Sequence, residues 1–319
     1  MNLSEFQTTL IRLLNARTSQ GESVCIENFQ RNNAVEKRGI ILRDERCEEY
    51  CVSPVVYPED LYRIYRDGYP MDRLADEVWR VLHTPAPTDT EKLFVTDRTF
   101  ALSHAVLRLI GKKQNQTYLE KVLYRDFLDL AVTIGIVLEK PDGSRAMTVL
   151  TKEMLEELDI PENVIFREAA ANSPLILGDC LKDMNRMLLE LKAHTGEAAA
   201  VTEEEREDVK NGREDPGTRI PLYVLTNQVS HYGASAMLYS GKIRELANRI
   251  GMDLLILPSS VHELILMPDQ GNGSAKKVRE FVTGINESVL RPEDILSDSV
   301  YRYARERDCI EIAAADEST

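Results

Sequence analysis

The chain has 319 residues, 43% hydrophobic and 29% charged, enough to bury a full core and to exclude disordered or collagen-like classes. Thirty-nine Lys and Arg face 53 Asp and Glu, and the net charge of −14 argues against nonspecific attraction to nucleic-acid phosphates or anionic lipid. The five dispersed cysteines, Cys25, Cys47, Cys51, Cys180 and Cys309, do not form the dense framework of a disulfide-stapled domain and read as reduced thiols.

Residues 1–14 place Phe6, Leu10, Leu13 and Leu14 at helical spacing around Glu5 and Arg12, which describes an amphipathic helix and not a secretory leader. Ser4 with Gln7 fits a capping box at its start. Residues 22–29 alternate as a strand, 30–33 are turn-like, and 39–42 and 52–57 read as further strands. Two helical stripes follow, Leu61, Ile64 and Tyr65, then Leu74, Val78, Val81 and Leu82, separated by Gly68 and Pro70 and stopped by Pro85 and Pro87. Tyr57, Tyr62, Tyr65 and Tyr69 are read as core aromatics with wet hydroxyl tips, with a partner-binding patch as the other reading.

The segment 101–110 is ambiguous between strand and helix, and 127–138 is a buried strand candidate. The run 130–138 is far shorter than the roughly 20 residues of a membrane-spanning helix. Pro141-Asp142-Gly143-Ser144 marks a turn, returning through 146–150 as an antiparallel partner. Thr151 caps a helix through Leu158, Pro161 opens another, and Ser173-Pro174 reads as a cap before a third, with Leu181, Met184, Leu188 and Leu191 as its seam. From 196 to 219 the chain is acidic and nearly free of apolar residues, a solvated linker or loop.

The last unit reads as a strand at 221–226, a strand at 234–239, a helix at 242–250 closed by Gly251, strands at 253–257 and 261–267, and a helix carrying Val278, Phe281, Val282, Ile285 and Val289. The expected architecture is α+β, with mixed or antiparallel sheets covered by helices and a C-terminal ββαββα order. The expected organisation is an α+β unit at 1–95, a second at 96–195, an acidic flexible loop at 196–219 and a third unit at 220–319.

Tyr223-Val224-Leu225-Thr226-Asn227, Gly233-Ala234, the Leu257-Pro258-Ser259-Ser260-Val261-His262-Glu263 block and Leu296-Ser297-Asp298-Ser299-Val300-Tyr301 together resemble an uncharacterised bacterial family. It is the domain-of-unknown-function family fifty-six eighty-eight. Asn32-Asn33, Gly39-Ile40, Tyr57 with Tyr62 and Tyr65, and residues 127–131 extend the resemblance over nearly the whole chain. It implies no activity, no cofactor and no catalytic residues.

The sharpest catalytic candidates are Ser259, Ser260, His262 and Glu263, the residue types of a hydrolase triad within five positions. On an extended strand, however, His262 and Glu263 face opposite ways, and side chains two apart lie roughly 6 to 7 Å from each other. A site would need a remote partner such as His231 or Asp253. The competing reading makes Pro258-Ser259-Ser260 a hairpin turn, with His262 and Glu263 holding the Thr226-Asn227 turn. Gly233 to Met237 lacks the last glycine of a nucleophile elbow, and Ser240-Gly241-Lys242 lacks the upstream glycine of a phosphate loop. Cys47 and Cys51 have no second ligand pair nearby, and the histidines at 83, 104, 194, 231 and 262 are scattered, so no metal is expected.

The favoured reading is therefore a cytoplasmic, non-enzymatic protein-interaction or regulatory module with a protein partner, no cofactor, no nucleic acid and no membrane. The alternatives are a hydrolase or transferase using Ser259 or Ser260 with His262, and a small-ligand sensor. Candidate binding residues are Thr226, Asn227, His262 and Glu263. Oligomeric state is not legible.

Overall fold

The structure is a computed structural model and describes residues 1–45, 54–83, 97–139, 145–184, 220–271 and 273–315. Cys47 and Cys51, the stop at Pro85 and Pro87, the turn at 141–144, His194 and the acidic stretch 196–219 lie outside the described residues. The described elements are α+β, with ten helices and three sheets whose ladders are antiparallel. The chain divides into two compact units, Met1–Ala101 with Leu138–Ala146, and Leu102–Val137 with Met147–Thr319.

The first unit contains α1 (Leu3–Asn15), β1 (Glu22–Gln30), β2 (Glu36–Asp44), α2 (Pro58–Arg66) and α3 (Met71–Leu82). The cap of α1 is Asn2 and not Ser4: Asn2 Oδ1 accepts from Glu5 N at 2.9 Å, and Glu5 Oε2 accepts from Asn2 N at 3.0 Å. This earlier start brings Leu3 into the helix, where it packs on the core of Phe6, Leu10, Leu14, Ile40 and Leu74. Of the strand expected over 52–57, the described part makes one bridge, Val56 to Ile40. Pro54 and Pro58 flank it and have no N–H to extend a ladder. Tyr62 and Tyr65 pack on Phe6 at ring-centroid distances of 5.4 and 5.3 Å, while the Tyr62 and Tyr69 hydroxyls reach Met1 O and Glu77.

The ambiguous segment at 101–110 is both things at once: α4 (Arg98–His104) runs directly into β3 (Ala105–Gly111). What reads as one strand over 127–138 is a hairpin, β4 (Tyr124–Phe127) and β5 (Leu130–Glu139), because Leu128 takes the left-handed conformation at φ 57° and reverses the chain. The short α5 (Gln116–Leu119) precedes it, and β6 (Arg145–Val149) pairs with β5. In this four-stranded sheet Leu107, Leu109, Val132 and Arg125 share one face. Arg108, Thr133 and Tyr124 share the other.

Thr151 caps α6 (Lys152–Glu157) as its sequence indicates, accepting from Met154 N at 3.2 Å. Ser173 caps nothing, because α7 (Glu162–Ile176) runs through it with Pro174 in the last turn. The Ser173 hydroxyl instead donates to Ala169 O at 2.6 Å and accepts from Leu107 N at 2.8 Å. Asn172 Nδ2 reaches Leu102 O and Ala105 O, so α7 satisfies the outer edge of β3.

The second sheet has the order β12-β11-β9-β10-β8-β7, from β7 (Cys180–Asp183), β8 (Tyr223–Thr226), β9 (Leu254–Ser260), β10 (Glu263–Pro268), β11 (Val300–Ala304) and β12 (Cys309–Ala314). Residues 180–183, expected within the helix capped at Ser173-Pro174, are an edge strand with Leu181 opposite Leu225. Residues 234–239, expected as a strand, are helical: a 3-10 turn (Gly233–Ser235) enters α8 (Ala236–Tyr239). A short run of small buried residues shows no period that separates a strand from a buried helical turn. Helix α9 (Lys242–Ile250) ends at Gly251, whose φ of 78° suits glycine, and α10 (Ser274–Ser288) covers β9, β11 and β12. The expected ββαββα order therefore loses its second strand and gains the β11–β12 hairpin.

Asp129, in the β4–β5 turn, accepts from Ser297 Oγ at 2.9 Å and from the fully buried Tyr301 hydroxyl at 2.8 Å. Burial, reinforced by the Asp129 charge, holds the Tyr301 phenol well above its ordinary range, so it stays a donor. No helix among the described residues is long and apolar enough to cross a membrane.

Candidate functional site

The Pro258–Glu263 segment is a hairpin, but its turn is Val261-His262 and not Pro258-Ser259-Ser260, which lie in β9. The ladder from β9 to β11 ends at Ile256, so Pro258 sits where β9 is paired on one side only, a place where a strand tolerates proline. A register shift at Glu263 and Leu264 lets the turn close.

Within this turn each polar group has a partner. Ser260 Oγ accepts from the His262 backbone N–H at 3.0 Å, and Ser259 Oγ donates to Glu263 Oε1 at 3.2 Å. Thr226 Oγ1 donates to His262 O at 2.7 Å, tying β8 to the turn. His262 Nδ1 accepts from the Tyr232 backbone N–H at 3.2 Å, which leaves the ring hydrogen on Nε2, facing Asp294 Oδ1 at 3.3 Å. Asp294 is held in turn by Arg291 Nε at 2.7 Å, and its carbonyl accepts from Val261 N at 2.8 Å. The remote partner of the histidine is thus Asp294, a residue absent from the sequence reading. Asp253 is engaged elsewhere, accepting from Arg305 N.

Asn227 is buried and its side chain closes its own loop, donating to His231 O at 2.9 Å and accepting from His231 N at 3.3 Å. The loop holds Ser230 and Tyr232 at φ 51° and 50°, in the left-handed region that costs a non-glycine residue about 1–2 kcal/mol. Gly233 follows because nothing larger fits: a Cβ there would lie 2.1 Å from Thr226 Oγ1 and 2.3 Å from His262 O. Ser235 is fully buried, beyond the reach of any substrate.

The strained loop sets the Tyr232 ring 4.0 Å from the guanidinium of Arg108, which is 4% exposed. Tyr118 Oη lies 3.4 Å from Arg108 Nη1, and Arg108 Nε has no hydrogen-bond partner among the described residues. Burial works against this charge, and Tyr232 with Tyr118 outweighs it. The His231 and His262 rings lie 5.4 Å apart. Partial burial, then His262 and Arg108, hold the His231 imidazole below its ordinary value although much of the residue faces solvent. Arg108, Tyr118, Tyr232 and Asp294 were missed in the sequence. A lone arginine inside the apolar run Ala105-Val106-Leu107-Arg108-Leu109-Ile110 was the available signal.

Thr226, His262 and Glu263 therefore do converge with Ser259 and Ser260, and Asn227 braces the adjoining loop. Their side chains bond mainly to one another and to the backbone. Cys25, Cys180 and Cys309 are free thiols, and no group of three or more potential metal ligands gathers among the described residues.

A family described as "Family of unknown function (DUF5688)" has a model that matches residues 3–305 of this chain. No curated protein and no solved structure matches it. With most of its length matched, the chain belongs to that family.

Proposed function

We propose that this member of a family without a known activity is a bacterial cytoplasmic regulatory module that binds a partner and breaks no bond at its Ser-His-Glu block. The supporting observation is the occupancy of the His262 ring. A general base needs a nitrogen lone pair aimed at the nucleophile, and the ring's lone pair on Nδ1 already accepts the Tyr232 N–H, while Nε2 faces a carboxylate. Among the described residues neither serine has an imidazole as its hydrogen-bond partner. With a net charge of −14, a protein partner would present a basic or apolar surface.

A fluorophosphonate probe distinguishes this from hydrolase or transferase chemistry. The purified chain is expected to remain unlabelled, as are Ser259→Ala and Ser260→Ala. Stoichiometric labelling of the unmodified chain that disappears in either variant overturns the reading.

A further inference from the structure

We propose that the cleft on the Leu107, Val132 and Arg125 face of the four-stranded sheet binds a small organic anion with an apolar or aromatic body. The cleft lies wholly within the second unit, has a volume of about 710 Å³ and is lined by β3, β4, β5, α7, α8, α9 and the β11–β12 hairpin. Small-molecule sites fall between roughly 300 and 1,000 Å³, mostly apolar with a few placed polar groups. Its walls fit that description: Leu107, Val132, Phe166, Met237, Ile243 and Ile310 supply apolar surface.

The charges set the sign of the ligand. Arg244 is paired with Asp308, which also accepts from the Tyr303 hydroxyl at 2.6 Å, and Asp126 is paired with Lys112 at 2.7 Å. Arg125 alone among these charged groups has no carboxylate partner among the described residues. Its guanidinium lies 4.1 Å from the centre of the Phe166 ring. Contact with the ring restrains the guanidinium while leaving its peripheral N–H groups free, and that fork matches one carboxylate, sulfonate or phosphate head. On a chain with a net charge of −14, one such cation does not attract polyanions; it selects a single anionic head whose body reaches the apolar wall. Ala170 lies one turn beyond Phe166 on α7 and is exposed at the cleft, so a bulky side chain there fills the space without entering a core.

This deepens the binding reading above, yet fails separately from it: labelling of a serine overturns that reading and leaves the cleft proposal standing. The probe is 1-anilinonaphthalene-8-sulfonate, compared with N-phenyl-1-naphthylamine, the same body without the sulfonate, each titrated by fluorescence. The expected result is one saturable site for both. Arg125→Gln should weaken the sulfonate about tenfold, leave the neutral probe and the unfolding midpoint unchanged, and Ala170→Trp should abolish both signals. Absence of saturable sulfonate binding, unchanged sulfonate affinity in Arg125→Gln, or full binding by folded Ala170→Trp overturns the proposal.

Discussion

Arg108 and Arg125 lie on opposite faces of the four-stranded sheet, and the two have opposite surroundings. Arg108 is buried between Tyr232 and Tyr118, behind a loop strained at Ser230 and Tyr232 and beside the turn containing His262. Arg125 sits at an open cleft, backed by one aromatic ring and unpaired with any carboxylate among the described residues. The first face is dense in the residue types of catalysis, and the hydrogen bonds around His262 close on themselves, while the buried Arg108 Nε and Thr133 Oγ1 have no partner among the described residues. The cleft on the second pairs Arg244 and Tyr303 with Asp308 but keeps the donors of the exposed Arg125 facing solvent. The difference teaches that chemistry-bearing residue types mark a reactive site only when their bonding capacity is left open.

The comparison predicts that changes on the Arg108 face cost stability. Gly233→Ala should have the largest effect, since its methyl overlaps Thr226 and a backbone carbonyl that cannot swing aside, and urea unfolding should show a loss of about 3 kcal/mol. A loss near zero would mean that the loop yields easily and that its closure is weak. Tyr232→Leu removes the ring from a desolvated guanidinium and should cost about 2 kcal/mol. Combining it with Arg108→Met should recover most of that loss, because the charge needing cover is gone. Failure to recover would assign the cost to backbone strain instead.

The smallest effect is with pH. His231 is held below its ordinary value of 6.5, so the unfolded chain takes up a proton first as the solution is acidified. The native ring's contribution is fully present above that value and is lost as pH falls below it. Stability measured by urea unfolding at about pH 7.5 and pH 5.5 should therefore drop less in His231→Gln than in the unmodified chain, by a modest amount because the residue is partly solvated. An identical drop in both would show that His231 is not part of the closed network.

Much of the framework was legible because it is local. The helices at 61–65, 74–82 and 242–250 announce themselves by period, and the Thr151 and Gly251 caps by residue type. The helical turn at 234–239 was not, since residues 234–237 are buried and set no rhythm, nor was the strand at 180–183, whose four residues are too few to show a period. The block at 258–263 was legible as a β-ribbon, while its turn was displaced because serines suit turns as well as strand ends. Asp294 and Arg108 reach the Tyr232 and His262 cluster only through tertiary contacts, and no spacing rule connects positions so far apart.

The clasp at Asp129 carries a consequence for biosynthesis. Its two donors, Ser297 and Tyr301, follow it by 168 and 172 residues, so the β4–β5 turn emerges from the ribosome long before its partners exist. During translation the carboxylate must wait in water, and the clasp can close only after residue 301 has emerged. A nascent chain halted before residue 297 would hold its hairpin without its anchor, so the clasp forms only after both strands of the hairpin have been made.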